Sequence, residues 1–206
     1  MTARPANERT VHSIEQESYA ILRGQVDLSG LPRLSRAVVE RVVHASADLD
    51  YVGDLVCDEA ALRGGADALA AGRPVVTDVE MVAAGITGRD AVCRVRGATP
   101  TAGETRSAAG IRAAYDEVGP GALWVVGCAP TALFAVLDLR VRPALVIGLP
   151  VGFVGATESK QALRAAGLPA LSNTSAKGGS AVAAAALNAL AYAGPTDHLP
   201  STQEIP

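Results

Sequence analysis

GCAPTALFAVLDLRVRPALVIGLPVGFVGATESK, from Gly127 to Lys160, is the stretch that decides the fold. Its centre, ALVIGLP (Ala144–Pro150), is a short apolar run with β-branched residues, bounded by proline. That is the form of a strand covered on both faces. A loop marked by glycine and proline stands on each side, GCAP upstream and LPVGFVG downstream, and each opens onto a helix-forming segment. Strands that alternate with helices through short loops imply a parallel sheet between helical layers. Loops at the carboxyl ends of parallel strands are where open α/β sheets hold ligands. The stretch therefore marks a place for a ligand before it suggests a reaction.

Outward from this centre the same rhythm continues. PVVTDV (Pro74–Val79), AVCRV (Ala91–Val95) and LWVVG (Leu123–Gly127) read as further buried strands. Helical segments are expected at Val79–Ala84, Ser107–Val118, Pro130–Leu137 and Glu158–Ala166. The run SAVAAAALNALAYA (Ser180–Ala193) is a long helix of strong formers. The N-terminal third differs and reads as helices only. SIEQESYAILRGQV (Ser13–Val26) is one, ended by Gly24. LSRAVVERVVHASAD (Leu34–Asp48) is a second, with Val38, Val39, Val42 and Val43 on its inner side. An alanine-rich third spans Asp58–Gly72. The expected fold is α/β, three layers with a mostly parallel sheet, preceded by N-terminal helices. The 206 residues form one domain, with 1–11 and 195–206 as loose polar tails.

Composition narrows the function. Hydrophobic residues make up 49% of the chain but aromatics only 3%, so the core is aliphatic and the stacking platforms of a single-stranded nucleic-acid binder are missing. A net charge of −3 supplies no field that gathers nucleic acid or an anionic membrane. No apolar run reaches the roughly 20 residues of a membrane span, and the N-terminus has no apolar signal-peptide core, so a cytoplasmic protein is expected. Cys57, Cys93 and Cys128 are widely spaced without a CxxC pair, which favours small-residue packing over a metal site or a disulfide framework.

Several residues could carry chemistry. Arg41, His44 and Asp48 are spaced i, i+3 and i+7, so a continuous helix would place them on one face, opposite the valines. Histidine exchanges protons near neutral pH, and Asp48 could bond one ring nitrogen and fix the tautomer. The same pattern also suits a solvated helix face. Gly178, Gly179 and Ser180 precede the last helix. Ser180 as its N-cap, with free N–H groups and Lys177 beside it, would make an anion site, or only a turn and a cap. Arg106 opens another helix and could pair with a carboxylate. Glu158 and Lys160 read as ligand contacts or ordinary surface charges. GCAPTAL lacks P-loop spacing, and VGFVGATESK lacks the GxGxxG spacing of a dinucleotide site.

The segments ESYAIL, RVVHASAD, TDVEMVAAGI, TRSAAGI, VGCAPTAL, PALVIGLPVGFVGATESK and KGGSAVAAAALNAL are collinear. Together they resemble the precorrin-8X methylmutase family over about Ser13 to Gly194. The resemblance implies a flavodoxin-like fold and a homodimer with the substrate near the subunit interface. It implies an isomerase of cobalamin biosynthesis that moves a methyl group from C-11 to C-12 of a ring-contracted tetrapyrrole. The product would be hydrogenobyrinate, or cobyrinate from cobalt-precorrin-8, with no separate cofactor and no metal site of the protein's own. His44 matches the family's proposed proton donor. Ser18 and Arg41 match its substrate-contacting serine and arginine. Arg106, Lys177 and Ser180 would be further contacts for the acidic side chains of the macrocycle. The chain departs from the common pattern at Gln25, Ala47, Cys128 and Ala176, where an acidic residue, glycine, asparagine and arginine are usual. Two other readings stand beside this one: a tetrapyrrole carrier of the same fold, and a nucleotide-dependent oxidoreductase, against which the missing GxGxxG counts.

Overall fold

The computed structural model describes residues 12–194. The expected loose tails at 1–11 and 195–206 lie outside the described residues. The strands are β1 (Leu55–Cys57), β2 (Val75–Thr77), β3 (Val92–Cys93), β4 (Leu123–Val126), β5 (Leu145–Gly148) and β6 (Ala170–Asn173). They form one sheet in the order β1-β6-β5-β4-β2-β3. Strands β2 to β6 run parallel, and β1 pairs antiparallel with β6 at one edge. Counted from the first parallel strand, the order is 2-1-3-4-5, the flavodoxin-like winding. The chain reverses its direction of travel across the sheet after β3, so the switch point lies between the carboxyl ends of β2 and β4.

The helices are α1 (Ser13–Gln25), α2 (Arg33–Ser46), α3 (Tyr51–Asp54), α4 (Glu59–Ala70), α5 (Glu80–Gly85), α6 (Arg106–Val118), α7 (Pro130–Asp138), α8 (Ala156–Ala165) and α9 (Ser180–Ala193). Successive strand residues point to opposite faces, and each face finds its own helices. Trp124, Val126 and Val146 pack with Ile111 of α6, Leu133 of α7 and Leu163 of α8. Leu123, Val125, Leu145 and Ile147 pack with Val38 of α2, Leu62 of α4, Val82 of α5 and Leu187 of α9. Every residue of β4 and β5 is buried, which is why these strands read as unbroken apolar runs. Helix α2 lies along α9, and α1 packs on α2.

The structure adds three elements that the sequence pattern does not announce: β1, α3 and β6. Their placement matters for function. Leu55 opens β1 opposite Asn173 at the carboxyl end of β6. The preceding α3 and the end of α2, which carries His44, therefore lie at the ligand edge of the sheet. Three details differ from expectation. Helix α1 runs through Gly24 to Gln25. Helix α2 stops at Ser46 because Ala47 turns left-handed at φ 53°, so Asp48 leaves the helix face of Arg41 and His44. Gly179, not Ser180, is the N-cap of α9, and Ser180 is a buried first residue of that helix. Among the described residues, no helix is long and apolar enough to cross a membrane.

Candidate active site

Packing of α1 on α2 brings together two residues 26 positions apart. Ser18 Oγ lies 2.7 Å from His44 Nδ1. Tyr19, next in α1, lays its ring against the imidazole, with centroids 5.1 Å apart and planes inclined by 28°. The imidazole is thus bonded at one nitrogen and stacked on one face. It lines a small open cleft of about 190 Å³ with Ser18, Ile21, Leu22, Gln25, Val43, Ala47 and Leu49. Ile21 and Leu49 stay solvent-exposed at this cleft. Asp48 does not serve His44: it accepts from Lys177 Nζ at 2.7 Å, and Asp50 accepts from the same ammonium at 2.6 Å. The partner of Nδ1 is the hydroxyl of α1, because the helix end carries Asp48 away.

Arg41 faces a neighbouring cleft of about 420 Å³ between α1, α2 and α9. There it pairs with Glu15, lies 3.3 Å from the Tyr19 hydroxyl, and stacks at 5.1 Å over the Tyr192 ring. Tyr19 thus touches both His44 and Arg41, and nothing in the pattern of α2 alone marks it. Arg106 is exposed at the start of α6, whose N-cap Thr105 meets Thr131 of α7 at 2.7 Å between hydroxyls. This contact joins the starts of α6 and α7. Cys128 is exposed beside them, not packed as its residue type suggests. Ser180 sits under Gly127, where an added Cβ would come within 3.0 Å of the Ser180 backbone.

The switch point itself is filled. Asp78, 1% exposed just past β2, accepts the backbone N–H groups of Gly127, Cys128 and Ala129 at 3.1, 2.9 and 2.8 Å. These are the donors that a phosphate would use at the start of α7. Burial pushes the Asp78 carboxyl up from its ordinary range, and the three N–H groups pull against that. The glycines at the strand ends are packed by the protein's own atoms. A Cβ on Gly148 would meet Leu163 at 2.5 Å, and one on Gly127 would meet Ala183 at 2.8 Å. At these two positions glycine serves close helix-to-sheet packing.

A second buried polar group lies under the loop after β6. Glu158 is exposed, but Lys160 is fully buried, and its ammonium donates to Asn173 Oδ1, the Ser175 carbonyl and the Lys177 carbonyl at 2.8, 2.5 and 2.7 Å. Asp54 accepts from Asn173, Thr174 and Ser175 through five hydrogen bonds of 2.6–2.9 Å. Burial lowers the Lys160 pKa to about 8. Desolvation would raise Asp54, but its donors outweigh that and hold it at about 2.

With this geometry in place, comparison with known proteins decides the family. The family model for precorrin-8X methylmutase matches residues 13–193. The chain belongs to that family. The precorrin-8X methylmutase of Pseudomonas aeruginosa is 39% identical over 200 residues, covering 89% of this chain and 96% of that protein. The cobalt-precorrin-8 methylmutase of Salmonella typhimurium is also 39% identical, over 197 residues, covering 87% and 94%. A crystal structure of the precorrin-8X methylmutase from Thermus thermophilus superposes with a TM-score of 0.79 at 34% identity, covering 87% of this chain and 94% of that one. The resemblance carried by the collinear motifs is thereby borne out, and with it the three-layer α/β fold. As a methylmutase of cobalamin biosynthesis, the protein is an isomerase.

Proposed function

We propose that this methylmutase moves a methyl group from C-11 to C-12 of a ring-contracted tetrapyrrole, giving hydrogenobyrinate, or cobyrinate when the substrate is cobalt-precorrin-8. The observation that carries the reading is the Ser18–His44 contact at 2.7 Å in an open cleft at the ligand edge. A methyl shift within one conjugated system is intramolecular and needs neither nucleophile nor hydride carrier. It gains from a proton placed on the macrocycle, which polarises the conjugation, and from a wall that holds one tautomer. In the imidazolium form Nδ1 donates to Ser18 Oγ while Nε2 gives its proton to the macrocycle, which leaves the neutral ring held by the same hydroxyl. The proton returns when the product forms, so the isomerisation is balanced. Arg41, Arg106, Lys177 and Ser180 meet the carboxylates at the periphery of the substrate. Arg41 is already neutralised by Glu15 and exchanges that carboxylate for one from the substrate, whereas Lys177 keeps its Asp48–Asp50 pair and offers its third N–H.

The His44 cleft is small for this ligand. A drug-sized molecule fills about 300–1,000 Å³, against about 190 Å³ here. Exposed Ile21 and Leu49 beside it suit further cover. We therefore propose a homodimer in which a second copy completes the pocket near the interface. The test is conversion of substrate carrying a ¹³C label in the migrating methyl, followed by NMR. The reading predicts that the labelled methyl signal moves from the C-11 to the C-12 environment. An unmoved signal with the ligand still bound would favour the carrier reading instead.

A further inference from the structure

The loop Asn173–Gly179 is fixed from below by buried charge and ends above in an ion pair that reaches the wall of the His44 cleft. Lys160 spends its ammonium on one side-chain and two main-chain oxygens of this loop. Each hydrogen bond has a separate partner along five residues of chain, so together they set the height and curvature of the whole segment. Asp54 fixes the start of the same loop from α3. At the exposed end, Lys177 reaches Asp48 and Asp50. Those two carboxylates flank Leu49, and with Ala47 they form the turn that follows α2. Ala47 and Leu49 are lining residues of the His44 cleft.

Within the turn, Ala47 N–H donates to the Val43 carbonyl at 2.7 Å, Asp48 N–H to Ser46 Oγ at 3.3 Å and Asp50 N–H to Asp48 Oδ1 at 3.0 Å; these bonds are local, and the Lys177 pair ties the turn to the loop after β6. Ala47 is left-handed without being glycine, a conformation that an L-side chain resists by about 1–2 kcal/mol. Such a conformation persists where its surroundings impose it. The Lys177 pair, anchored through the loop to Lys160, adds to the local bonds a constraint from outside the turn.

We propose that Lys160 and Asp54 are positioning residues, which act through the Asn173–Gly179 loop and Lys177 to fix the Ala47–Leu49 wall beside His44. The assembly turns buried hydrogen bonds under the sheet edge into the placement of a cleft wall that neither residue touches. The proposal rests on the reading of His44 as the working group only for its consequence in turnover. The placement itself is tested in the free protein, with no substrate.

Lys177→Met cuts the assembly at its exposed end and leaves the buried part intact. Lys160→Met cuts it at the root. The readouts are the His44 Hε1 and ring ¹⁵N signals and amide hydrogen exchange over 45–50 and 173–179. In Lys177→Met, the His44 signals shift and exchange at 45–50 rises about tenfold or more, while 173–175 stays protected. In Lys160→Met, exchange rises over both segments, and in the enzyme assay kcat falls by about tenfold or more with KM within about twofold. Unchanged His44 signals and unchanged exchange at 45–50 in Lys177→Met would overturn the proposal, whatever Lys160→Met does. An intact His44 response in a protein that turns nothing over would instead count against the methylmutase reading and leave the placement standing.

Discussion

Two places along one edge of the sheet invite a ligand, and they have opposite fates. At the switch point between β2 and β4, the α7 amides that could hold an anion are satisfied by Asp78 from within the chain. At the end of α2, His44 has a hydroxyl on one nitrogen and an aromatic ring on one face, in a cleft left open. The fold's usual ligand crevice has become a structural joint. The proposed proton donor lies instead on the helices that precede the sheet. A winding shared with nucleotide-binding proteins therefore says little about what is bound, and the joint at Asp78 shows physically why.

The largest effect expected from this contrast is at the sealed crevice. Asp78→Ala strands three amides with no acceptor and lowers unfolding stability by about 3–5 kcal/mol, read by urea denaturation. A loss below about 1 kcal/mol would mean that water replaces the carboxylate and that the crevice is not sealed. Next is Asp54, whose pKa is depressed to about 2 by its donors. A depressed carboxylate stabilises the fold above its ordinary pKa, and that stability drains as pH falls through the ordinary value toward the folded one. Wild type should therefore lose roughly 2 kcal/mol more than Asp54→Asn between about pH 4 and pH 2, measured by denaturant melts across that range. Parallel pH curves for the two proteins would show that Asp54 is not held by this network. A smaller gain is expected at the open cleft. Ala47→Gly relieves the left-handed turn against the entropy that glycine adds, a net stabilisation of about 0.5 kcal/mol. The smallest expectation is none: FMN or NAD(P) leaves the melting temperature unchanged, because Asp78 already holds the phosphate donors. A clear upward shift would reopen the crevice as a binding site.

The sequence makes the centre of this architecture readable and hides its joints. Strands β2, β4 and β5 are legible because burial on both faces demands apolar, β-branched runs. LVC of β1 and ALSN of β6 are short and part polar. Ser172 and Asn173 are buried because Arg164 and Lys160 bond them, a fact that no local pattern carries. His44 is legible as a candidate, and the collinear motifs single it out. Its partner is not legible from α2 alone. Asp48 has the right spacing for a continuous helix, but Ala47 hides the helix stop that a glycine would announce. Asp54, Asp78 and Lys160 look like surface charges, since their partners lie 13 to 121 residues away. Lys160 in ESK differs from a solvated helix residue only by what folds over it.

The most direct test of the central claim is a single-turnover absorbance assay with precorrin-8X, comparing wild type with His44→Ala after binding of the substrate has been confirmed for both. Migration of the methyl group changes the conjugation of the macrocycle, so the spectrum reports the step itself. The account predicts conversion by wild type and a rate at least about 100-fold lower in the variant with binding retained. Conversion at the same rate by both proteins would contradict it, because the proton would then come from somewhere other than His44.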